Sequence, residues 1–282
     1  MNFSQDNYDL YIPESISADK AFARTTHLGI GAHQDDLEFM ALHGILSCFQ
    51  KSDHWFSGVT CTNGAGSSRT GAYADFTDEA MEAVRVEEQK TAAKIGQFSF
   101  IAQLGHPSSH TKTADKRKSL VEDLKNVLQS AQPTVIYTHN PFDKHATHIG
   151  VMLAVLEAIR GLPKAARPQK LFGCEVWRAL DWLPDSEKIV HDVSDHPNLA
   201  ASLNGVFDSQ ITGGKRYDLA VEGRRLANAT FFDSHSVDTA NRVQYAIDLS
   251  ELIHEETALK DFMQTKLNQF NQEIFNSLDN LL

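Results

Sequence analysis

The sequence is poor in cysteine and has no long apolar run. Its 282 residues include three cysteines, Cys48, Cys61 and Cys174, far apart in the chain. This spacing argues against a disulfide framework and against a zinc site built from Cys-x-x-Cys pairs. No apolar stretch approaches the roughly 20 residues that cross a membrane, and residues 1–9 lack the basic and apolar regions of a signal peptide. We therefore expect a cytoplasmic protein without a membrane span.

The sequence also lacks an excess of basic residues. Lys and Arg number 26 against 37 Asp and Glu, and the formal net charge is -11. An acidic surface argues against a nucleic-acid or anionic-membrane partner, although it leaves room for a local basic pocket. Hydrophobic residues make up 41% and charged residues 22% of the chain, as in ordinary globular proteins.

Short β-rich runs alternate with segments of helical periodicity. Residues 27–32, 54–62, 98–104 and 135–139 have the pattern of strands, and apolar residues recur at helical spacing after them. This alternation predicts an α/β fold of Rossmann-like type, with a mostly parallel sheet and helices on both faces. The tail, residues 250–282, predicts a long helix that packs on the body or forms one seam of a homo-oligomer.

One strand-turn-helix unit brings an imidazole and two carboxylates together. The apolar run that begins at His27 ends in small residues, and His33, Asp35 and Asp36 follow immediately. Open α/β sheets place their chemistry at the carboxyl ends of strands. His33 and Asp36 can reach one cation from this turn, while Asp35 points elsewhere. The alternative is that one carboxylate only caps the next helix and that His33 is a core histidine.

A second unit of the same kind carries a histidine pair. His145 and His148 follow the run 135–139 and are three residues apart, so they share one face at a helix start. Such a pair alone is often only surface histidine. Together, the two turns offer two histidines and a carboxylate, which with an open fourth position is the pattern of a catalytic zinc site.

These motifs resemble those of the PIG-L/LmbE-like zinc-dependent N-deacetylases, which remove acetyl groups from N-acetylglucosamine derivatives. Residues 32–38 correspond to the family's first motif and residues 145–148 to its second. Between them, residues 62–66 match a Thr-x-Gly turn and residues 85–96 match a helix with Arg-x-x-Glu, two alanines and a terminal glycine. The resemblance covers roughly residues 26–160.

The resemblance implies a metal centre and two catalytic residues. It implies that Zn²⁺ is held by His33, Asp36 and His148, although these ligands also suit Fe²⁺ or another divalent ion. Asp35, beside the metal, is then the general base. His145 stabilises the tetrahedral oxyanion or protonates the leaving nitrogen.

The substrate-binding residues expected from the sequence are Arg85, Asp143, Asn63 and Trp177. The family places Arg85 near the substrate pocket, whereas its spacing from Glu88 alone would suggest an exposed ion pair. Trp177 can stack on a sugar face, with burial in the core as an equal alternative.

The sequence departs from the family pattern at both motifs. Gln34 replaces a proline, which alters the rigidity of the turn but removes no ligand. Ala146 and Thr147 replace Pro-Asp, so the carboxylate that relatives carry before His148 is missing. Such outer carboxylates orient a histidine, and Asp143 can replace it by orienting His145.

We expect a single domain over residues 1–282, with residues 26–160 as the core and residues 171–282 as a C-terminal elaboration that lines the substrate site. The expected partner is a small amino-sugar substrate. Two alternatives remain: an amidase acting on another sugar or thiol conjugate, and a non-catalytic sugar-binding relative. A Rossmann oxidoreductase is disfavoured because the glycine fingerprint after the first strand is missing.

Overall fold

The computed structural model describes residues 3–254 and 256–282, which form one eight-stranded sheet covered by helices. The strand order is β1-β4-β3-β2-β5-β6-β8-β7. The strands are β1 (Asp9–Tyr11), β2 (His27–Gly31), β3 (Phe56–Thr62), β4 (Ile101–His106), β5 (Val135–His139), β6 (Lys170–Cys174), β7 (Lys188–Asp192) and β8 (Val243–Asp248). Neighbours from β4 to β6 are parallel, β1 pairs antiparallel with β4, and β8 pairs antiparallel with β6 and β7. The predicted mostly parallel α/β fold is confirmed.

Helices pack on both faces of this sheet and bury two apolar layers. They are α1 (Ala18–Ala23), α2 (Asp36–Met40), α3 (Leu42–Cys48), α4 (Asp78–Ile95), α5 (Ala114–Ala131), α6 (Ala146–Arg160), α7 (Pro197–Gly205), α8 (Asp208–Ile211), α9 (Tyr217–Phe231) and α10 (Leu259–Asp279). Leu28 and Ile30 of β2 face one layer with α5 and α6. Leu37 and Met40 of α2 belong to the other layer.

The sheet places a crevice at the ends of β2 and β5. From β2 the chain continues to β3 and β4 on one side, whereas β5 and β6 lie on the other side of β2. Ligands bind at such switch points in open α/β sheets, outside the carboxyl ends of the strands. Both histidine-bearing turns of the sequence follow these two strands.

Gly31 lets the helix that carries Asp36 begin directly at the end of β2. A Cβ atom at this position would lie 2.9 Å from the Cβ of Asp36 and 3.3 Å from a methyl carbon of Leu37. Only a residue without a side chain allows α2 to approach the strand this closely. The close approach holds the Asp36 carboxylate over the crevice.

The chain departs from the predicted elements at two helices. The helical pattern after Asp36 divides at Ala41, where φ is -112° and ψ is 21°, into α2 and α3. The sequence pattern suggests Ser194 as the cap of the next helix, but α7 begins at Pro197 after His196. The Ser194 hydroxyl oxygen instead accepts the backbone N–H of Asn241.

The C-terminal part of the chain completes the sheet and covers one end of it. Strands β6, β7 and β8 belong to the same sheet as β2 and β5. The tail helix α10 buries Phe262, but Ile274, Phe275 and Leu278 on its later turns are exposed. No helix within residues 3–254 and 256–282 combines the length and apolarity required to cross a membrane.

Candidate active site

His33, Asp36 and His148 converge at the crevice between β2 and β5. Nδ1 of His33 lies 3.2 Å from Nε2 of His148 and 3.3 Å from Oδ2 of Asp36. Nε2 of His148 lies 3.5 Å from Oδ1 of Asp36. Oδ2 of Asp36 also accepts the backbone N–H of His33 at 2.7 Å, which fixes the turn.

The spacing of these three side chains is compatible with a divalent metal ion. Zinc bonds of about 2.0–2.2 Å to nitrogen and oxygen separate tetrahedral ligand atoms by about 3.3–3.6 Å. The observed separations are similar, and the two that involve Asp36 are to different carboxylate oxygens. Although burial alone raises the pKa of Asp36, His148 and His139 beside it hold that pKa well below its usual range. Asp36 is therefore ionised, as a metal ligand must be.

Asp143 lies behind His148 and points its carboxylate at the ring. Oδ2 of Asp143 is 3.2 Å from Nδ1 of His148, and its Oδ1 accepts the backbone N–H of His145 at 2.8 Å. A carboxylate at Nδ1 leaves Nε2 of His148 free to face a metal. Asp143 is 3% exposed and does not face the cavity, so the structure removes it from the expected substrate-binding set. It pairs with the ring of His148 rather than that of His145.

His139, at the end of β5, joins the cluster although the sequence did not identify it. Its Nε2 lies 3.4 Å from Oδ2 of Asp36 and accepts the backbone N–H of Ala32 at 2.9 Å. Its ring stacks on that of His148 with centroids 3.9 Å apart. Burial lowers the pKa of His139 to about 4, so its ring is neutral. The signal that could have identified it is a histidine as the last residue of a buried strand.

The described residues contain two overlapping sets of possible metal ligands. One set is His33, His145 and His148, and the other is Asp36, His139 and His148. His148 belongs to both sets. The N–H of Ala32 occupies the Nε2 lone pair of His139, which disfavours the second set. The predicted set of His33, Asp36 and His148 takes its members from both sets.

Asp35 lies beside this cluster in a strained backbone conformation. Its φ is 100°, a region that non-glycine residues rarely occupy, and its side chain makes no capping hydrogen bond to α2. The backbone N–H of Asp35 donates to Oε1 of Gln89 at 3.2 Å. Burial raises the pKa of Asp35 to about 6, against the opposing charge of Arg85. A carboxylate with a pKa near neutrality suits a general base.

Arg85 holds the carboxylate of Asp35 from α4. It is 1% exposed, which excludes the alternative of an exposed surface pair. One terminal nitrogen donates to Oδ2 of Asp35 at 2.8 Å and to the carbonyl of Gln34. The other donates to Oε2 of Glu88 at 3.1 Å. Glu88 in turn accepts the backbone N–H and the hydroxyl of Ser209, which ties α4 to α8.

His145 immediately precedes α6, and its side chain lines the cavity. Its ring centroid is 5.2 Å from that of His33 and 4.7 Å from that of His148. Within the described residues its Nδ1 has no hydrogen-bond partner. Burial, together with the neighbouring His148 and His33, lowers the pKa of His145 to about 4. It is a neutral imidazole that can donate to or accept from a bound ligand.

The cluster forms the floor of a cavity of about 670 Å³. Of the residues expected to bind substrate, Arg85, Asn63 and Trp177 line this cavity. Asn63 accepts the backbone N–H of Ala65 and donates to Glu82. The indole of Trp177 faces His145 with ring centroids 6.4 Å apart. Residues 215–225 contribute a further wall, within the C-terminal part that the sequence predicts to line the site. The sequence leaves two interpretations of Arg224 and Arg225: contacts to a substrate phosphate or carboxylate, or an ordinary helix surface.

Residues 28–159 match the model of the PIG-L family, described as GlcNAc-PI de-N-acetylase. No curated protein matches the chain. Among solved structures, N,N'-diacetylchitobiose deacetylase from Pyrococcus horikoshii is 16% identical with a TM-score of 0.63, and the match covers 85% of this chain and 89% of that chain.

Two further structures have the same fold. The 4-carboxy-2-hydroxymuconate hydratase GalB from Pseudomonas putida KT2440 is 16% identical with a TM-score of 0.63, over 80% of this chain and 96% of that chain. The conserved protein TT1542 from Thermus thermophilus is 17% identical with a TM-score of 0.59, over 79% and 94% of the two chains. At these identities the structures establish the fold and leave the reaction to the site residues.

Proposed function

We propose that this protein, whose resemblance to the PIG-L/LmbE-like family is confirmed over residues 28–159, is a metal-dependent N-deacetylase. Its substrate is a small N-acetylglucosamine derivative, and the reaction is hydrolysis of the acetamide bond. The observation that carries the proposal is Asp35. Binding a metal does not need this carboxylate, yet it is buried beside the ligands in a strained conformation and held by Arg85.

Metal binding is the first role assigned to these side chains in amide hydrolysis. His33, Asp36 and His148 would hold the ion, and Asp143 would orient His148 from behind. Bound there, a zinc ion would lower the pKa of water from about 15.7 towards about 7 and polarise the amide carbonyl.

Asp35 takes the proton of the attacking water, and Arg85 keeps its carboxylate aimed. The same carboxyl group can return a proton to the departing amine. His145, whose Nδ1 is free of other partners within the described residues, donates a hydrogen bond to the developing oxyanion or to the leaving nitrogen.

Trp177 and Asn63 are the proposed contacts to the sugar. The indole face lies next to His145 and suits stacking against a pyranose ring. Asn63 lies on the opposite loop, after β3, where its amide can meet a hydroxyl. The cavity has room for a substrate larger than the acetamide group alone.

Acetate release from a panel of N-acetylglucosamine compounds tests the proposal. The panel comprises the free sugar, its 6-phosphate, the disaccharide and a thiol glycoside, each incubated with zinc-loaded protein. Release from at least one member is expected. If no member of the panel releases acetate, an amidase for another conjugate or a sugar-binding role would be favoured. Because the fold also occurs in a hydratase, addition of water to an unsaturated acid is a further outcome to assay.

A further inference from the structure

One wall of the cavity carries an unbalanced positive charge. Lys112, Lys215, Arg224 and Arg225, called here the cationic wall, all line the cavity. None of the four has a carboxylate oxygen of a described residue within 4.0 Å. Nearby basic residues outside the cavity are paired: Arg216 lies 2.7 Å from Asp218 and Arg242 lies 2.7 Å from Glu222. The protein has a net charge of -11, so a cavity wall with unpaired positive charges differs from the rest of the molecule.

Arg225 is the most deeply buried member of the cationic wall. It is 2% exposed, and one terminal nitrogen donates to the carbonyls of Glu38 and Phe39 at 2.7 Å and 3.2 Å. Its Nε and its other terminal nitrogen have no partner among the described residues. Burying a guanidinium with unused donors is costly unless something else binds it. A bound anion satisfies both the charge and the donors.

The cationic wall stays positive after the acidic residues of the cavity are counted. Asp36 belongs to the metal ligands, and Asp35 is paired with Arg85. Glu175 remains, and its Oε1 accepts from Asn228 while its Oε2 has no partner within the described part of the chain. Glu175 is therefore the one remaining carboxylate among the described lining residues, against four basic side chains, and Glu222 outside the cavity also acts on Arg225.

Trp177 connects the cationic wall to the reaction site. Nζ of Lys215 lies 5.8 Å from the centroid of its indole, and Arg224 donates to the carbonyl of Val176. The indole also faces His145, with ring centroids 6.4 Å apart. Arg225 reaches the same floor through carbonyls two and three residues after Asp36 on α2. A ligand with its acetamide at Asp35 and its ring on Trp177 therefore extends towards the cationic wall.

We propose that the cationic wall binds an anionic substituent of the substrate, a carboxylate or a phosphate, with Arg225 as its buried anchor. The proposal deepens the proposed function and rests on it for the position of the acetamide. It assigns Lys112, Lys215, Arg224 and Arg225 to substrate selection, not to bond cleavage.

The test is calorimetric binding of three probes to metal-stripped protein: N-acetylglucosamine, its 6-phosphate and N-acetylmuramic acid. At least one anionic probe should bind about tenfold or more tightly than the neutral sugar, because charge-assisted hydrogen bonds are the strong ones. Which probe gains shows whether the group is a phosphate or a carboxylate. The advantage should shrink when the salt concentration rises from about 0.05 M to about 0.5 M.

Three variants separate recognition from folding. Arg225→Gln should remove about tenfold of the affinity for the anionic probe and leave the neutral probe nearly unchanged. Lys215→Ala, at an exposed position, should weaken binding of the anionic probe by about threefold. This variant provides the test if Arg225→Gln fails to fold. Arg216→Gln is the matched control, because Arg216 is paired outside the cavity, and it should change neither affinity.

Equal affinity for the neutral and both anionic probes, or no binding of any probe, would overturn the cationic wall as a recognition site. An equal loss in Arg216→Gln, or an equal loss for neutral and anionic probes in Arg225→Gln, would do the same. Acetate release from these probes by the zinc-loaded protein separates the two proposals. Acetate release without preference for an anionic probe would support the deacetylase proposal and contradict the cationic wall as a recognition site. Anion-selective binding without acetate release would support the cationic wall and contradict the deacetylase proposal.

Discussion

Oδ2 of Asp35 lies 2.8 Å from a terminal nitrogen of Arg85, and both side chains are buried. The guanidinium fixes the direction of the proposed base and opposes the rise that burial imposes on its pKa. We predict that Arg85→Gln lowers kcat by about 10- to 100-fold, since the base is no longer aimed.

The pH profile of the Arg85→Gln variant tests the same contact. Removing the guanidinium raises the pKa of Asp35, so the acidic limb of the rate profile should move to higher pH. Lys94→Gln, at an exposed position on the same helix, is the control and should behave as wild type. A loss of rate in Arg85→Gln with an unshifted acidic limb would show that Arg85 does not act through Asp35.

His148 and His145 should differ in their effect on metal content. His148→Ala removes a side chain common to both possible ligand sets and should abolish stoichiometric zinc binding. His145→Ala should retain zinc and lose activity, because its proposed role is to contact the reacting group. Metal analysis of the two purified variants decides. Loss of zinc in His145→Ala would favour the set of three histidines.

Asp143 should affect metal affinity although it does not face the cavity. Its carboxylate accepts from Nδ1 of His148, and removing such an outer partner typically costs about 10- to 100-fold in metal affinity. We predict that the Asp143→Ala variant loses zinc affinity by this factor, as measured by competition with a chromophoric chelator. Lys144→Ala is the neighbouring control at an exposed position. Unchanged zinc affinity in Asp143→Ala would place the residue outside the metal centre.

Folding stability should fall in acid through a histidine pair away from the site. The rings of His43 and His191 stack with centroids 3.9 Å apart, and burial together with His43 lowers the pKa of His191 to about 3. Because the folded pKa is depressed, this stability is present above the unfolded pKa of about 6.5 and is lost as the pH falls towards about 3.

His191→Gln tests this linkage by urea unfolding at two pH values. Between about pH 7 and pH 5 the wild type should lose about 2 kcal/mol more of its unfolding free energy than the variant, since Gln does not titrate. His235→Gln, at an exposed position, should keep the wild-type dependence. The same pH dependence in His191→Gln and wild type would exclude the pair as its source.

Local patterns were sufficient to predict much of the sheet and the two turns of the site. The sequence pattern predicts a buried strand over 135–139 and a helix over 78–95 with Thr77 as its cap, and the structure has both elements there. Both signals are short-range: a β-rich run in one case, and a capping residue before an apolar period in the other. The turns after β2 and β5 could be paired because parallel strands end at one edge of a sheet.

The remainder of the site depends on contacts between distant segments. His139 joins the cluster through Ala32, and Asp143 pairs with His148 rather than orienting His145, because the fold of the loop decides which ring the carboxylate meets. The cationic wall combines Lys112 with residues 215–225, which no local pattern connects. Strand β8 has only a weak sequence signature, because the polar Gln244 interrupts its apolar residues and Asp248 ends it.

The role of Asp35 as general base is tested most directly by the rate of acetate release in Asp35→Asn, together with the zinc content of the variant. We predict a folded, zinc-loaded variant whose rate is at least about a hundredfold below wild type, within the usual general-base contribution of about 10² to 10⁴. Wild-type activity in a zinc-loaded Asp35→Asn protein would contradict it, because the proton of the attacking water would then have another acceptor.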